Sequence, residues 1–306
     1  MTNPSEHSQE RRNIAVIGAG IVGVSCALYL QQAGFNVTLF DRDEPGSGAT
    51  YGNACTFALY GSIPVNRPDL IWRFPSLMFG QERPLSIAWR YMPKMIPWLM
   101  QFLKHCRREH VDRTINGLGS LLRDAEDASM ILFRASGGND LISRDGTIYI
   151  YPTSESFDAD AINRQRRLTQ GAQIEELTAT DLQDLEPNLA SIFPHAVLYP
   201  NGFTILDPKQ MTSRMVDHLC HTGGQFIKGE VSAVEAQSAD GVAFKINGNR
   251  HHYDQSVLAG GAWSMQIAKG GCEELPLDTE LAIMYYFPSQ LNSSTGRLDL
   301  QMLGFT

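Results

Sequence analysis

The 306-residue sequence has little of what announces a metalloprotein, a hydrolase or a nucleic-acid binder. Its five cysteines (Cys26, Cys55, Cys106, Cys220 and Cys272) are odd in number, scattered, and never spaced as a metal clip. They read as reduced thiols, with the cytoplasm as the expected compartment. His251 and His252 are adjacent and would point to opposite faces of an extended segment, while His105 and His110 stand five apart, so neither pair suits a helical metal site and no metal is expected. No serine sits in a GxSxG elbow, which leaves acyl transfer without sequence support. Acidic residues outnumber basic ones, 33 to 25, and a net charge of −8 argues against a phosphate-backbone partner. No apolar run is long enough to span a bilayer. The polar start MTNPSEHSQERRN leads into a run broken by Gly18, Gly20 and Gly23, unlike an export signal. No internal repeat or low-complexity tract occurs.

What is present is a phosphate-binding turn in full context. From Asn13 the chain reads NIAVIGAGIVGVSCALYLQQAGFNVTLFDRDEPGSGA. A buried strand at Ile14 to Ile17 meets the run Gly18, Ala19, Gly20, Ile21, Val22, Gly23, and helical periodicity follows. Val22, Cys26, Leu28 and Leu30 are expected to pack the helix on a sheet, Gly34 to stop it, and Val37 to Phe40 to form a second strand ending at Asp41. In such a βαβ unit Gly18 permits the tight turn, Gly20 lets the backbone approach a pyrophosphate, and Gly23 lets the helix lie close on the strand. Asp41, 18 positions beyond Gly23, can accept hydrogen bonds from an adenosine ribose and would repel a 2′-phosphate. The motif points to an unphosphorylated dinucleotide and does not by itself choose FAD over NAD.

The segment after Asp41, RDEPGSGATYGNACTFALYGSIP, is rich in Gly, Ser and Thr and suits a loop whose amides line a cofactor. With VIGAGIVG, the Asp41–Arg42 pair and GNA at 52–54, it resembles the FAD-dependent amino-acid and amine oxidoreductases, bacterial D-amino-acid dehydrogenases above all. PLSIAWRYMP at 84–93, DGTIYIY at 145–151, LEPNLA at 185–190, LDP at 206–208 and GGAWS at 260–264 carry the same likeness, in order, to about residue 280. Cys55 departs from it, standing where the family commonly has glycine. The resemblance implies an α/β fold, a Rossmann-like FAD-binding domain with an inserted α+β substrate domain. The flavin domain would take residues 1–62 and 196–272, and the substrate domain 63–195 and 273–306. By the same resemblance Asp41 would hold the adenosine ribose and Arg42 would sit near the adenine. Gly52, Asn53 and Ala54 would pass near the flavin, and Val231, otherwise a buried strand valine, would approach the adenine through its backbone.

The implied reaction is oxidation of a D-amino acid by hydride transfer to FAD, followed by hydrolysis to a 2-oxo acid and ammonia. Positioning and a neutralised carboxylate suffice for that chemistry, so no catalytic residue is singled out. The runner-up is a glycine- or sarcosine-type amine oxidase. A noncatalytic remnant of such an enzyme and, third, an NAD-dependent dehydrogenase complete the alternatives. Segment 86–110, SIAWRYMPKMIPWLMQFLKHCRREH, mixes Trp89, Trp98, Lys94, Lys104 and Arg107 with apolar residues. It could touch the inner face of the cell membrane, as suits a dehydrogenase delivering electrons to a membrane quinone or another acceptor. Against this, Pro93 and Pro97 are expected to break the helix and the aromatics to pack inside the substrate lobe, which is the favoured reading.

The closing stretch, residues 276–306, departs from the likeness at one residue. Glu280 is followed by LAIMYYFP where the resembled enzymes continue with a motif close to RGYH. A one-base shift permits ERGYHVL there, and RPLGLADAGFY in place of GRLDLQMLGFT. The expectation is a single-base deletion near codon 281 that replaced the native C-terminal portion, giving a poorly soluble chain that binds FAD weakly or not at all.

Overall fold

A computed structural model describes residues 11–51, 53, 55–70, 90, 92–189, 191–237 and 241–268. The strands are β1 (Asn13–Ile17), β2 (Asn36–Asp41), β3 (Thr56–Phe57), β4 (Ile142–Ser143), β5 (Thr147–Tyr151), β6 (Glu175–Thr178) and β7 (His195–Tyr199), then β8 (Phe203–Ile205), β9 (Gln225–Lys228), β10 (Val231–Gln237), β11 (Gly241–Ile246), β12 (Asn249–Tyr253) and β13 (Gln255–Leu258). The helices are α1 (Ile21–Gln32), α2 (Met92–His105), α3 (Arg108–Arg123), α4 (Ala125–Ala135), α5 (Ser154–Ala159), α6 (Ala161–Thr169), α7 (Ala179–Leu185), α8 (Pro208–His221) and α9 (Ser264–Ala268). The chain divides into two compact units. Among the described residues the first holds 11–55, 127–143 and 204–268, and the second holds 56–126 and 144–203.

The first unit is built on a parallel sheet in the order β13-β1-β2-β9. Central β1 reads NIAVI because both of its faces are covered, and Ile14 to Ile17 are at most 3% exposed. Ala15 and Ile17 share one core with Phe40, Val231, Val234, Phe244 and Ile246, so the antiparallel meander β10-β11-β12 covers that face. The Phe40 ring meets Phe244 edge-on at 5.5 Å and Tyr253 at 5.8 Å. By the strand period, Ile14 and Val16 point to the other face, where α1 and α8 lie.

Helix α1 buries Gly23, Val24, Ala27 and Leu28. This corrects the expected packing face: Leu28 is inside, but Val22 is 66% exposed, and Cys26 and Leu30 line an open hollow of about 390 Å³ with Ser25, Tyr29 and Val257. Gly34, with φ +92°, follows the Ala33 cap as the stop the sequence required.

In the second unit β5, β7 and β6 form an antiparallel sheet, with Thr147 opposite Tyr199 and Tyr151 opposite His195. Tyr60, Tyr151, Val197 and Tyr199 make its core, against Phe157 and Ile174. The polar stretch 154–170 folds as two helices, α5 and α6, meeting at Asp160. Asp160 is also the acceptor that ties them down: it takes hydrogen bonds from Tyr151 Oη (2.8 Å), Asn163 Nδ2 (2.8 Å) and Arg167 Nη1 (3.1 Å).

Helix α2 corrects a second expectation, since it runs unbroken through Pro97. The N–H that Pro97 lacks would have reached the carbonyl of Pro93 in the first turn, so the loss falls at the frayed end of the ladder. Trp98 on this helix is 59% exposed rather than packed in a lobe, and Trp89 lies outside the described residues. No helix among the described residues is long and apolar enough to cross a membrane.

Candidate dinucleotide site

The carboxyl ends of β1 and β2 and the start of α1 bring the fingerprint together. Gly18 turns out of β1 with φ +113°, and a Cβ there would stand 2.3 Å from the carbonyl oxygen of Ala259. A Cβ on Gly23 would stand 1.9 Å from the carbonyl oxygen of Gly18. Both positions therefore demand glycine for the fold itself. Gly20 differs. Its φ of −72° is open to any residue, and the nearest protein atom to a Cβ would be Thr50 Oγ1 at 3.4 Å. The protein does not require glycine at this position, which fits a bare backbone left for a ligand to approach.

Helix α1 begins there without a side-chain cap from Gly20; instead Thr50 Oγ1 accepts from the amide of Ile21 at 3.1 Å. The next amides, of Val22 and Gly23, belong to the first turn, which has no intrahelical partners and carries the positive end of the helix dipole. Exposed Val22 thus stands beside amides able to take an anion. Thr50, 6% exposed, was not singled out by sequence reasoning, although it lies in the Gly-, Ser- and Thr-rich loop.

Asp41 is already engaged by the protein's own backbone. Its Oδ2 accepts from the amide of Ala19 at 2.6 Å and its Oδ1 from the amide of Asp43 at 3.0 Å. The carboxylate locks the glycine turn to the end of β2, and each oxygen keeps a further acceptor site. The backbone carbonyl of Asp41 accepts from Gly229 at 2.7 Å, which brings the turn just before Val231 to the same corner. Val231 itself, 8% exposed, puts its side chain in the core and leaves only backbone for recognition. Arg42 bonds Asp43 at 3.2 Å and lays its guanidinium 4.3 Å from the ring centre of Trp263. Trp263, in the quoted GGAWS, is a second residue that spacing alone did not nominate.

The loop beyond is tied by Asn53, which donates to the carbonyl of Thr50 at 2.9 Å and accepts from the amide of Cys55 at 2.7 Å. Cys55 takes φ +57°, a left-handed conformation glycine adopts freely, which explains a glycine preference there. Burial, with Asp207 second, pushes its thiol up from the ordinary range. Gly52 and Ala54 lie outside the described residues, as do Cys272, most of 84–93 and the closing segment 269–306. Among the described residues no cluster of three or more His, Cys, Asp or Glu could hold a metal.

The family model described as FAD dependent oxidoreductase matches residues 13–297. The chain is 31% identical over 274 residues to a D-amino-acid oxidase of Bradyrhizobium diazoefficiens, covering 89% of this chain and 65% of that one. It is 29% identical over 212 residues to D-amino acid dehydrogenase 2 of Ralstonia nicotianae, covering 68% and 50%. Among solved structures, the glycine oxidase of Geobacillus kaustophilus superposes with a TM-score of 0.57 at 17% identity, over 86% of this chain and 58% of that one, a likeness of fold. The chain thus spans about two thirds or less of the length of these proteins.

Proposed function

The chain belongs to the FAD dependent oxidoreductase family, and from that premise we propose that its first unit holds the adenosine diphosphate half of FAD, while its second contributes to the substrate side. The observation that carries this is Gly20, a glycine that neither backbone angle nor protein packing requires, set between two that both require. The first-turn amides of α1 take the pyrophosphate, the spare acceptor sites of Asp41 take the ribose hydroxyls, and Arg42 flanks the base. Asn53 shapes the loop that runs toward the flavin.

We further propose that the whole protein oxidises a D-amino acid to a 2-oxo acid and ammonia. FAD, when bound, supplies the two-electron acceptor; the protein supplies orientation and exclusion of water. The names of the two curated relatives support the substrate class, one an oxidase and one a dehydrogenase, so molecular oxygen and a carrier are both acceptors to test. The scattered cysteines support a cytoplasmic location.

Two measurements test the two parts separately. Calorimetric titration of the 306-residue chain with ADP, FMN and FAD should show binding of ADP, weak or no binding of FAD, and none of FMN; binding of FMN alone would overturn the site. Turnover of a D-amino-acid panel, with glycine and sarcosine beside it, should favour D-amino acids with a dye or with oxygen. Activity confined to glycine and sarcosine would move the protein to the amine oxidases.

A further inference from the structure

Helix α2 sorts its residues by chemistry around its axis. At 100° per residue, Met95, Ile96, Trp98, Leu99, Met100, Phe102 and Leu103 fall on one arc, and Lys94, Gln101, Lys104 and His105 fall opposite with the two prolines. An amphipathic helix of a folded unit normally buries its apolar arc. Here only the centre is half-buried, at Met95, Leu99, Phe102 and Leu103. Its flanks, Ile96, Trp98 and Met100, are 48%, 59% and 68% exposed. Trp98 stacks on Phe102 at 5.2 Å, which makes a flat aromatic slab on that surface.

Along the chain the charge flanking this arc is of one sign, with Asp69 near Cys106 as an acid close to its end in space. From Arg83 to Arg108 the sequence has six basic residues (Arg83, Arg90, Lys94, Lys104, Arg107 and Arg108) and no acid, in a chain with more acidic than basic residues overall. Arg90, Lys94, Lys104, Arg107 and Arg108 are exposed. A broad apolar arc with tryptophan, edged by lysine and arginine, is the signature of a helix that lies in a lipid interface. The long cationic stems reach outward to headgroups while the apolar side enters the acyl boundary. At 14 residues α2 is about 21 Å long, enough to lie in the interface and too short to cross it. A second copy of the chain fits the patch less well, because a two-fold pairing through it would set the same basic residues against each other.

We propose that α2 docks this protein on an anionic phospholipid surface. The proposal goes beyond the oxidoreductase reading and stands whether or not FAD binds. Its test is flotation of the 306-residue chain with phosphatidylcholine vesicles, with and without phosphatidylglycerol as a minor component. Binding should appear with the anionic lipid and fall at least tenfold between ~0.1 M and ~1 M salt, where the Debye length shrinks from about 10 to about 3 Å. Lys104→Glu with Arg108→Glu should lower binding at least tenfold. The second change puts a carboxylate in the first turn of α3, where the helix dipole favours it, so the variant keeps its fold, checked by circular dichroism. Lys104→Arg with Arg108→Lys should bind as the parent does. Brominated lipid should quench tryptophan emission, and Trp98→Phe should remove most of that quenching. Equal flotation with neutral and anionic vesicles, or undiminished binding by the charge-reversed chain, would overturn the proposal. So would a dimer in sedimentation that Trp98→Ala with Met100→Ser dissociates.

Discussion

The parallel sheet of the first unit and the antiparallel sheet of the second are buried in opposite ways. In β1 and β2 the inward residues are aliphatic or Phe40, with Thr38 the one hydroxyl between them, and the precision of the site comes from backbone: glycine turns, amides and the carboxylate of Asp41. In the second unit the core under the β5-β7-β6 sheet sets three tyrosines beside Val197, with Tyr60 stacked on Tyr199 at 4.1 Å and Arg167 donating to both Asp160 and Tyr199 Oη. An aliphatic core loses stability in proportion to the atoms removed. A polar core fails when one partner of a buried hydrogen bond is lost, because the other is then stranded. The first arrangement leaves a stable frame with an open edge for a ligand, and the second fixes side chains at the cost of tolerance.

The largest expected break is in the first unit. Gly23→Ala pushes a methyl group into the Gly18 carbonyl and should cost about 3 kcal/mol or unfold the unit outright. Gly20→Ala meets no such wall, and its melting temperature should stay close to the parent's. Its affinity for ADP should nevertheless fall tenfold or more, about 1.4 kcal/mol. Calorimetry beside thermal melts separates the two. If Gly20→Ala binds ADP as the parent does, the turn is structural only and the dinucleotide reading fails.

Next in size is Arg167→Met in the second unit. Arg167 and Asp160 are 11% and 17% exposed, and removing the cation leaves a largely buried carboxylate with only Tyr151 and Asn163. A loss of about 2 kcal/mol is expected in denaturant unfolding. Tyr151→Phe, which removes one neutral donor, should cost about 1 kcal/mol. Equal and negligible losses would show that this core is held by packing alone.

The same contrast has a pH window. Burial raises the Tyr60 phenol from the ordinary 10 to about 12, against an opposing hydrogen bond from Thr147, with the nearby phenols Tyr149 and Tyr199 adding to the rise. Burial also raises Tyr199 and, with help from Asp160, Tyr151. The fold favours the neutral form, so this contribution is whole below pH 10 and is lost as pH climbs through about 12. The second unit should therefore melt progressively earlier across that range, and Tyr60→Phe should flatten the decline. A decline of the same steepness in Tyr60→Phe would assign it to other groups.

These two units were also unequally legible. The strand–turn–helix order, the glycine turn and the stop at Gly34 could be read because each is local, set within a few residues by backbone geometry. The side of α1 that meets the sheet could not: IVGVSCALYLQQ is apolar nearly all round, so periodicity gives Val22 and Val24 equal claims, and only the close approach at Gly23 decides. Thr50 and Trp263 escaped because each is defined by a partner far along the chain, Ile21 and Arg42. The tyrosine network joins residues 60, 149, 151, 160, 167 and 199, and no spacing rule links them. Pro97 misled for a physical reason, since a breaker near a helix start removes a bond that was weakly held.

The smallest effect tests a place where the first unit departs from its own rule. Its described turns use glycine at positive φ except at Asn247, with φ +49°, and at Cys55, with φ +57°. A side chain in that region costs about 1–2 kcal/mol, while glycine adds about 0.5–1 kcal/mol of chain entropy to be lost on folding. Cys55→Gly should therefore gain about 0.5 kcal/mol, and it also frees Asn53 from the thiol that donates to its carbonyl at 3.1 Å. The amide of residue 55 still donates to Asn53 Oδ1, so the loop should keep its course and ADP affinity should not change. A clear loss of stability would mean that the half-buried thiol contributes packing worth more than the backbone strain it imposes, and that the cysteine is a fitted part of the loop.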